Sequence, residues 1–469
     1  MKIGVCIFWG MAALAAGAAE GGVARVSVDA ANPQWTISKY LTGMHFVYAF
    51  ERDSLYADER IADWMRRARV GIIRWPGGTA VQNYHWDALN GIAFLEDSWD
   101  PAYSAAPAPP GDYMDLDEYI AFCRKIGCDP MVGVNIRSGK EYDRKEDSLD
   151  EARRLIRHCV DNGYNVKHWY IGNECYKGWN ANSYADYIDL YAEVLKSVDP
   201  EITIIGDWKF GPEAKNNFEG TLAIARRSKH IDVMEVHEKW GNQWGLAATG
   251  GKTLADWQAE PGIYGGKLAR YIEAYFADQK AAGKNVRLGF NEWGAEIAGD
   301  GATPFHVALV KADYLIEMFR HPIYSACDWN LNMGPGKSKI LITSNDGREL
   351  AGLSPAAHVF EMCGQAQEGR ALPMASSDPV VYGFAAAGPE EGVIQVYLLN
   401  KRSDAVEVEL AIAGAAPGGA GLEMETFSAP GELTKTILAS PAAVGEALSL
   451  RLEPLSFNRL VLRQATQTP

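Results

Sequence analysis

The sequence predicts an α/β fold, a (β/α)8 TIM barrel followed by a C-terminal β-sandwich. Two observations carry that prediction. Between residues 40 and 365, short apolar runs alternate with segments whose apolar residues recur at spacings of three and four, the signature of strand–helix units around a parallel sheet. From about Asp378 the pattern changes to alternating strands separated by turn residues.

Taken in chain order, the first element reads as an export signal. Lys2 precedes an apolar stretch over residues 3–16 and the small residues Ala16-Gly17-Ala18-Ala19, so residues 1–19 are expected to be removed near Ala18 or Ala19. The apolar run is shorter than the ~20 residues of a membrane span. A secreted or periplasmic protein with no membrane contact after signal cleavage is expected. Residues 20–37, with VARVSVDA, are expected to add a strand to the C-terminal sandwich.

The barrel is assigned to residues 38–370, with strands at 41–47, 71–75, 130–135, 168–172, 202–206, 232–236, 287–291 and 324–329. Helical spacing is clearest at 60–69, 117–126, 183–198 and 307–319. A doubly wound open sheet is the alternative, but it would bring a glycine fingerprint after the first strand, and none is present. The sandwich is assigned to residues 371–469 through VVYGFAA, GVIQVYLLN, AVEVELAIAG, GLEMETFS and LSLRLEPLSFNRLVLR. Its expected role is to stabilise the barrel; carbohydrate binding is the alternative.

Composition narrows the function classes. The 469 residues are 47% hydrophobic and 22% charged, as in a folded protein, and the net charge of −15 argues against a nucleic-acid-binding surface. Fourteen Trp and 21 Tyr exceed what packing usually requires and suit the flat faces of sugars. Cys123, Cys128, Cys159, Cys175, Cys327 and Cys363 do not form a disulfide framework in a chain this long. No HExxH or CxxC occurs, so neither a metal nor a cofactor is expected.

Two Asn-Glu pairs carry the chemistry. Asn173-Glu174 in WYIGNEC ends the fourth expected strand, and Asn291-Glu292 in LGFNEWG ends the seventh. In a (β/α)8 barrel the C-terminal strand ends form the active face. Two carboxylates fixed there are the apparatus of glycosidic bond hydrolysis. Arg74, ending the second strand in GIIRWPGG, is the expected cation that keeps Glu292 ionised. Glu174, beside Trp169 and Tyr170 and close to the charge on Glu292, is expected to be protonated.

Other residues at this face are candidates for substrate binding: Asn135, Arg137, Asn173, His237, Lys239, Trp240 and Trp329, together with Arg74. Residues 237–265, with Trp240, Trp244, Trp257 and Tyr264, read as a substrate wall or as a loop pinned to the barrel by its aromatics. Arg137, Lys177, Lys209 and Lys239 follow four successive strands, and a cationic ring there would attract an anionic glycan.

The arrangement resembles the clan A retaining glycoside hydrolases, in which the acid/base glutamate follows strand four after an Asn and the nucleophile follows strand seven. That resemblance implies Glu174 as acid/base and Glu292 as nucleophile. IRWPGGTAVQNYHWDAL, WYIGNE, LGFNEW and SPAAHVFEMCG, in that order, are most similar to family 51 α-L-arabinofuranosidases. Three segments depart from that family. GMHFVYAF has Val47 and Tyr48 where a Glu-His pair is usual, NGIAFLEDSW replaces a Gly-Pro-Arg stretch, and His237-Glu238-Lys239-Trp240 replaces His-aromatic-Tyr.

The resemblance thus implies an O-glycosyl hydrolase acting on a polysaccharide or oligosaccharide by double displacement. An endo-acting glycanase on another, anionic, polysaccharide and an inactive carbohydrate-binding protein remain alternatives. The oligomeric state is open.

Overall fold

The computed structural model describes residues 22–87, 96–103, 112–209, 217–241, 251–299, 301–329, 331–332, 337–414, 422–438 and 447–463. The expected export signal, Trp244 and most of NGIAFLEDSW lie outside them. No described helix is long and apolar enough to cross a membrane.

Eight parallel strands close into a barrel: β2 (Gly43–His45), β3 (Ile72–Trp75), β4 (Asp129–Val134), β5 (His168–Ile171), β6 (Thr203–Lys209), β7 (Val233–Trp240), β8 (Arg287–Ala295) and β9 (Ser325–Asp328). Each overlaps one expected strand. Ile72, Met131, Tyr170, Ile205, Val233 and Cys327 fill the interior, so the barrel is a packed core rather than a pore. Gly133 makes room for the largest of these. A Cβ there would fall 2.2 Å from the Tyr170 ring.

β1 (Ala24–Asp29) buries Ala24, Val26 and Val28 and exposes Arg25 and Ser27, the period-two pattern of a strand with one covered face. It runs parallel to Val406–Ala413 and antiparallel to Met374–Ser376 in a four-stranded sheet. A six-stranded antiparallel sheet faces it across an aliphatic core that includes Val396, Leu398, Val408 and Leu450.

The outer face of the six-stranded sheet packs on the barrel through an aromatic seam. Phe384 stacks on Tyr397 at 4.2 Å and on Phe319 at 4.8 Å. Phe319 ends the helix Pro304–Phe319, which lies between the barrel and the sandwich and is buried nearly all round. Its three buried charges are paired, Lys311 with Asp328 at 2.6 Å, Asp313 with Lys401 at 3.0 Å and Glu317 with Arg320 at 3.5 Å. Those pairs satisfy charges that burial would otherwise penalise. All six described cysteines are unpaired and buried.

Beside the barrel mouth, His85 lies buried between two carboxylates, 2.9 Å from Glu151 and 3.0 Å from Asp97, and Asp97 accepts from Ser138 Oγ. Burial pushes the imidazole pKa down, but the two carboxylates outweigh it and raise it to about 9. A histidine raised in the folded state contributes stability that is complete below its unfolded value of ~6.5 and is lost as pH rises through about 9. The melting temperature is therefore expected to fall between pH 7 and 9.5, a shift corresponding to up to ~3 kcal/mol. His85→Phe should flatten that fall; an unchanged slope in the variant would contradict the assignment.

Candidate active site

Both Asn-Glu pairs reach the barrel mouth, each by a departure from regular strand geometry. After β5 ends at Ile171, Gly172 takes φ 73° and Glu174 takes φ 48°. A non-glycine residue in the left-handed region costs about 1 kcal/mol, and it persists where its surroundings fix it. Asp207, buried in β6, does so by accepting the backbone N–H of Glu174 and, at 3.4 Å, that of Cys175. This turn carries the Glu174 side chain over the mouth.

Glu292 is aimed by a bulge. β8 takes three steps from Gly289 to Glu292 while β7 takes two from Glu235 to His237; against β9 the same extra step falls between Phe290 and Trp293. An extra residue breaks the two-residue alternation of a strand. Phe290 and Trp293 both pack outward in the main core, which frees Asn291 and Glu292 to face inward together. Asn291 is spent below the site, donating to Glu235 at 2.9 Å and accepting from Ser325 at 2.6 Å. Glu292 stands above it.

Arg74 organises the floor. Its guanidinium is fully buried on the face of Tyr170, 4.2 Å from the ring centroid. One end donates to Asn173 Oδ1 at 2.8 Å and Glu235 Oε1 at 3.0 Å; the other lies 3.4 Å from Glu292 Oε2 and 3.2 Å from His45 Nε2. Arg74 is therefore a positioning residue and does not face a substrate, contrary to the sequence-based expectation. Removing one partner from a buried ion pair costs about 3–5 kcal/mol. Arg74→Met is expected to lose stability on that scale in a denaturant titration, and a loss below 1 kcal/mol would contradict this role.

His237 and Lys239 complete the electrostatics. His237 Nε2 is 3.1 Å from Glu235, and Nδ1 lies 3.5 Å from both Glu174 Oε1 and Glu292 Oε2. Burial pushes this imidazole down, yet Glu292, Glu174 and Glu235 raise its pKa to about 10. Lys239 Nζ donates to Glu292 Oε1 at 2.7 Å. Burial alone would raise the Glu292 pKa; His237 and Lys239 outweigh it and lower it to about 2. His45 stays neutral, pushed well down by burial and by Arg74.

Glu174 differs from expectation. Trp169 packs outward in the main core and Tyr170 inside the barrel, so neither surrounds its carboxyl. Instead Tyr176 donates to Oε1 at 2.5 Å, Lys177 pairs with Oε2, and His237 stands beside Oε1. Burial raises its pKa, but His237, Lys177 and Tyr176 outweigh it and hold the carboxyl well below the usual range.

Two more expectations are corrected. Asn135 accepts the backbone N–H groups of Arg137 and Ser138 at 3.0 and 3.1 Å and donates to Ser138 Oγ at 2.7 Å, so its amide folds the turn after β4. Trp240 is fully buried and donates to Glu260 at 2.9 Å. Trp257, also buried, donates to Asp313 at 2.8 Å. These rings pin the helix at residues 254–259 and Glu260 to the barrel.

Asn173, His237 and Lys239 do reach the site. Trp329 does too, with Lys239 Nζ 3.8 Å over its ring. Arg137 sits at the rim, paired with Glu141 at 2.6 Å.

His45, Gln82, Tyr176, Asp207 and Glu235 went unnoticed in the sequence. The last two left a signal, since an acid inside an apolar strand run is unusual unless partnered. Glu174, His237 and Glu292 converge within 4.8 Å of one another, as do Asp207, Glu235 and His237. Positive charge there comes from Arg74, Lys239 and protonated His237. A cavity of about 520 Å³ opens beside Glu174, lined by Gln82, Arg137, Lys140, Asn173, Lys177 and Trp179 among others.

Comparison with known proteins agrees with this architecture. Residues 64–242 match a family described as the alpha-L-arabinofuranosidase 1 domain. An intracellular exo-alpha-(1->5)-L-arabinofuranosidase of Acetivibrio thermocellus is 23% identical over 253 residues, covering 50% of this chain and 48% of the relative. Alpha-L-arabinofuranosidase C of Emericella nidulans is 27% identical over 173 residues, covering 32% of each chain. The chain thus spans about half the length, or less, of these curated relatives. The crystal structure of the GH51 arabinofuranosidase from Xanthomonas axonopodis pv. citri superimposes with a TM-score of 0.73 at 16% identity, covering 94% of this chain and 100% of that one.

Proposed function

We propose that this chain, a clan A relative of the family 51 α-L-arabinofuranosidases, is a retaining glycoside hydrolase of α-L-arabinofuranosidase type. The observation that carries the reading is the separation of the two carboxylates. One oxygen of Glu174 and one of Glu292 lie within 4.8 Å. Such a close approach of single oxygens fits the ≈ 5–5.5 Å between the carboxyls of retaining enzymes better than the ≈ 6.5–9.5 Å that admits a water in inverting ones.

Glu292, held ionised by Lys239, attacks the anomeric carbon. The glycosidic C–O bond breaks as Glu174 gives its proton to the leaving oxygen. Water then attacks the glycosyl–Glu292 ester, Glu174 takes its proton, and the sugar leaves with its configuration retained.

The proton comes from the shared site. Glu174, Glu292 and His237 are linked through His237 Nδ1, 3.5 Å from each carboxylate, so the three titrate as one unit. Moving the proton from His237 to Glu174 leaves their net charge unchanged. Asn173, held by Arg74, presents its amide to the cleft and is placed to bond a sugar hydroxyl next to the anomeric carbon.

The arabinofuranose assignment rests on the sequence likeness of residues 64–242 and is tested with activated aryl glycosides. The 4-nitrophenyl α-L-arabinofuranoside is expected to turn over at least about 10-fold faster than the corresponding β-xylo- and β-glucopyranosides, a difference of ~1.4 kcal/mol in transition-state binding. Faster cleavage of a pyranoside would overturn the sugar assignment.

A further inference from the structure

The cavity beside Glu174 is basic, although the whole chain is acidic. Its lining holds Arg137, Lys140 and Lys177 against Glu141 and Glu174, a net excess of one positive charge in a chain of net charge −15. Once Glu174 carries its proton the excess is two. Lys209 adds a further cation. It lies 5.7 Å from the ring of Tyr176, on which Lys177 also stands at 5.9 Å.

The same cavity has an aromatic surface. Trp179 lines it, and Lys140 Nζ lies 3.8 Å from that ring while donating to Gly178 O at 3.1 Å. Trp179 is itself braced edge-on by Tyr187 at 4.3 Å. A ring with an ammonium group over one face matches a sugar whose negative substituent meets that ammonium beside the ring. Glu174 lines this cavity and Glu292 does not, so the cavity lies on the side of the general acid, where the leaving group departs.

We propose that this part of the cleft binds a leaving-group sugar carrying an anionic substituent, a uronate carboxylate or a sulfate, held by Lys140, Lys177 and Arg137 against Trp179. The inference takes its sense of direction from the hydrolase reading above, but the subsite exists with or without turnover. Lys177 links the subsite to the chemistry. It pairs with Glu174 Oε2 while most of its side chain remains exposed. An anion seated between Lys140 and Lys177 competes for that ammonium and releases Glu174 from the charge that opposes its protonation. A neutral leaving group leaves the pair in place. The substrate's own charge thereby helps to switch on the acid.

The test is binding, read separately from activity. Titration calorimetry with the full chain compares trigalacturonate with its carboxyl-reduced form, and a sulfated trisaccharide with its desulfated form. Each anionic member is expected to bind at least about 10-fold more tightly, the scale of one charge-assisted hydrogen bond. That preference should shrink as salt rises and fall several-fold in Lys140→Met and in Lys177→Met. Preference for only one of the pairs identifies the anion as uronate or sulfate. Equal affinity within both pairs, or a preference intact in both variants, overturns the subsite. Hydrolysis of the 4-nitrophenyl arabinofuranoside is followed in parallel, so a failure of the hydrolase reading shows there and not in the calorimetry.

Discussion

Glu292→Ala is expected to lower kcat on an activated aryl α-L-arabinofuranoside by on the order of 10⁴-fold or more, the scale seen when a nucleophile acting within a catalytic unit is removed. Burial, the bulge in β8 and the cations Lys239 and His237 all serve one ionised carboxylate, so no neighbour can take its place. Asn291 is tied to Glu235 and Ser325, and Glu235 is tied to Arg74 and His237. Azide should enter the space left by the carboxylate and yield a glycosyl azide of inverted configuration. A residual rate above a tenth of the original would show that Glu292 is not the attacking group. Glu292→Gln keeps the shape without the charge and should be as inactive, which separates lost chemistry from lost folding.

The second large effect is expected at Glu174, and it should depend on the leaving group. General acid catalysis contributes ~10²–10⁴-fold, and it matters most where the departing oxygen is basic. Glu174→Ala should therefore lose ~10²–10⁴-fold on an unactivated oligosaccharide but far less on a 2,4-dinitrophenyl glycoside. Azide should accelerate the second substrate and give a product of retained configuration, because the nucleophile is intact. Equal losses on good and poor leaving groups would remove Glu174 from the acid role.

These expectations rest on features that were unequally legible in the sequence. All eight barrel strands were readable because each is a short apolar run and each helix keeps its own period. The two glutamates were readable because each ends such a run. The way they are aimed was hidden. The extra residue in β8 is visible only when the register against both neighbours is known, and the left-handed turn at Glu174 depends on Asp207, 33 residues away.

Residue type misled where one side chain can serve either water or its own backbone. Asn135 was expected to meet substrate, yet its amide folds a turn. Trp240 fits either a substrate wall or a pinned loop in the sequence, and in the fold Glu260 takes its indole N–H. Arg74 lies 3.4 Å from Glu292, at a depth below the floor that the sequence does not show. Glu174 departs from the protonated state expected of it for a related reason. Sequence neighbours on a strand point to opposite faces, so Trp169 and Tyr170 say nothing about the carboxyl, whereas Tyr176 and Lys177 return to it after the turn.

Double displacement between Glu174 and Glu292 is read directly in the first-formed product. Proton NMR during hydrolysis of the 4-nitrophenyl α-L-arabinofuranoside, recorded before mutarotation, should show the α-anomer of the free sugar appearing first. The β-anomer appearing first would mean a single displacement by water and would contradict double displacement.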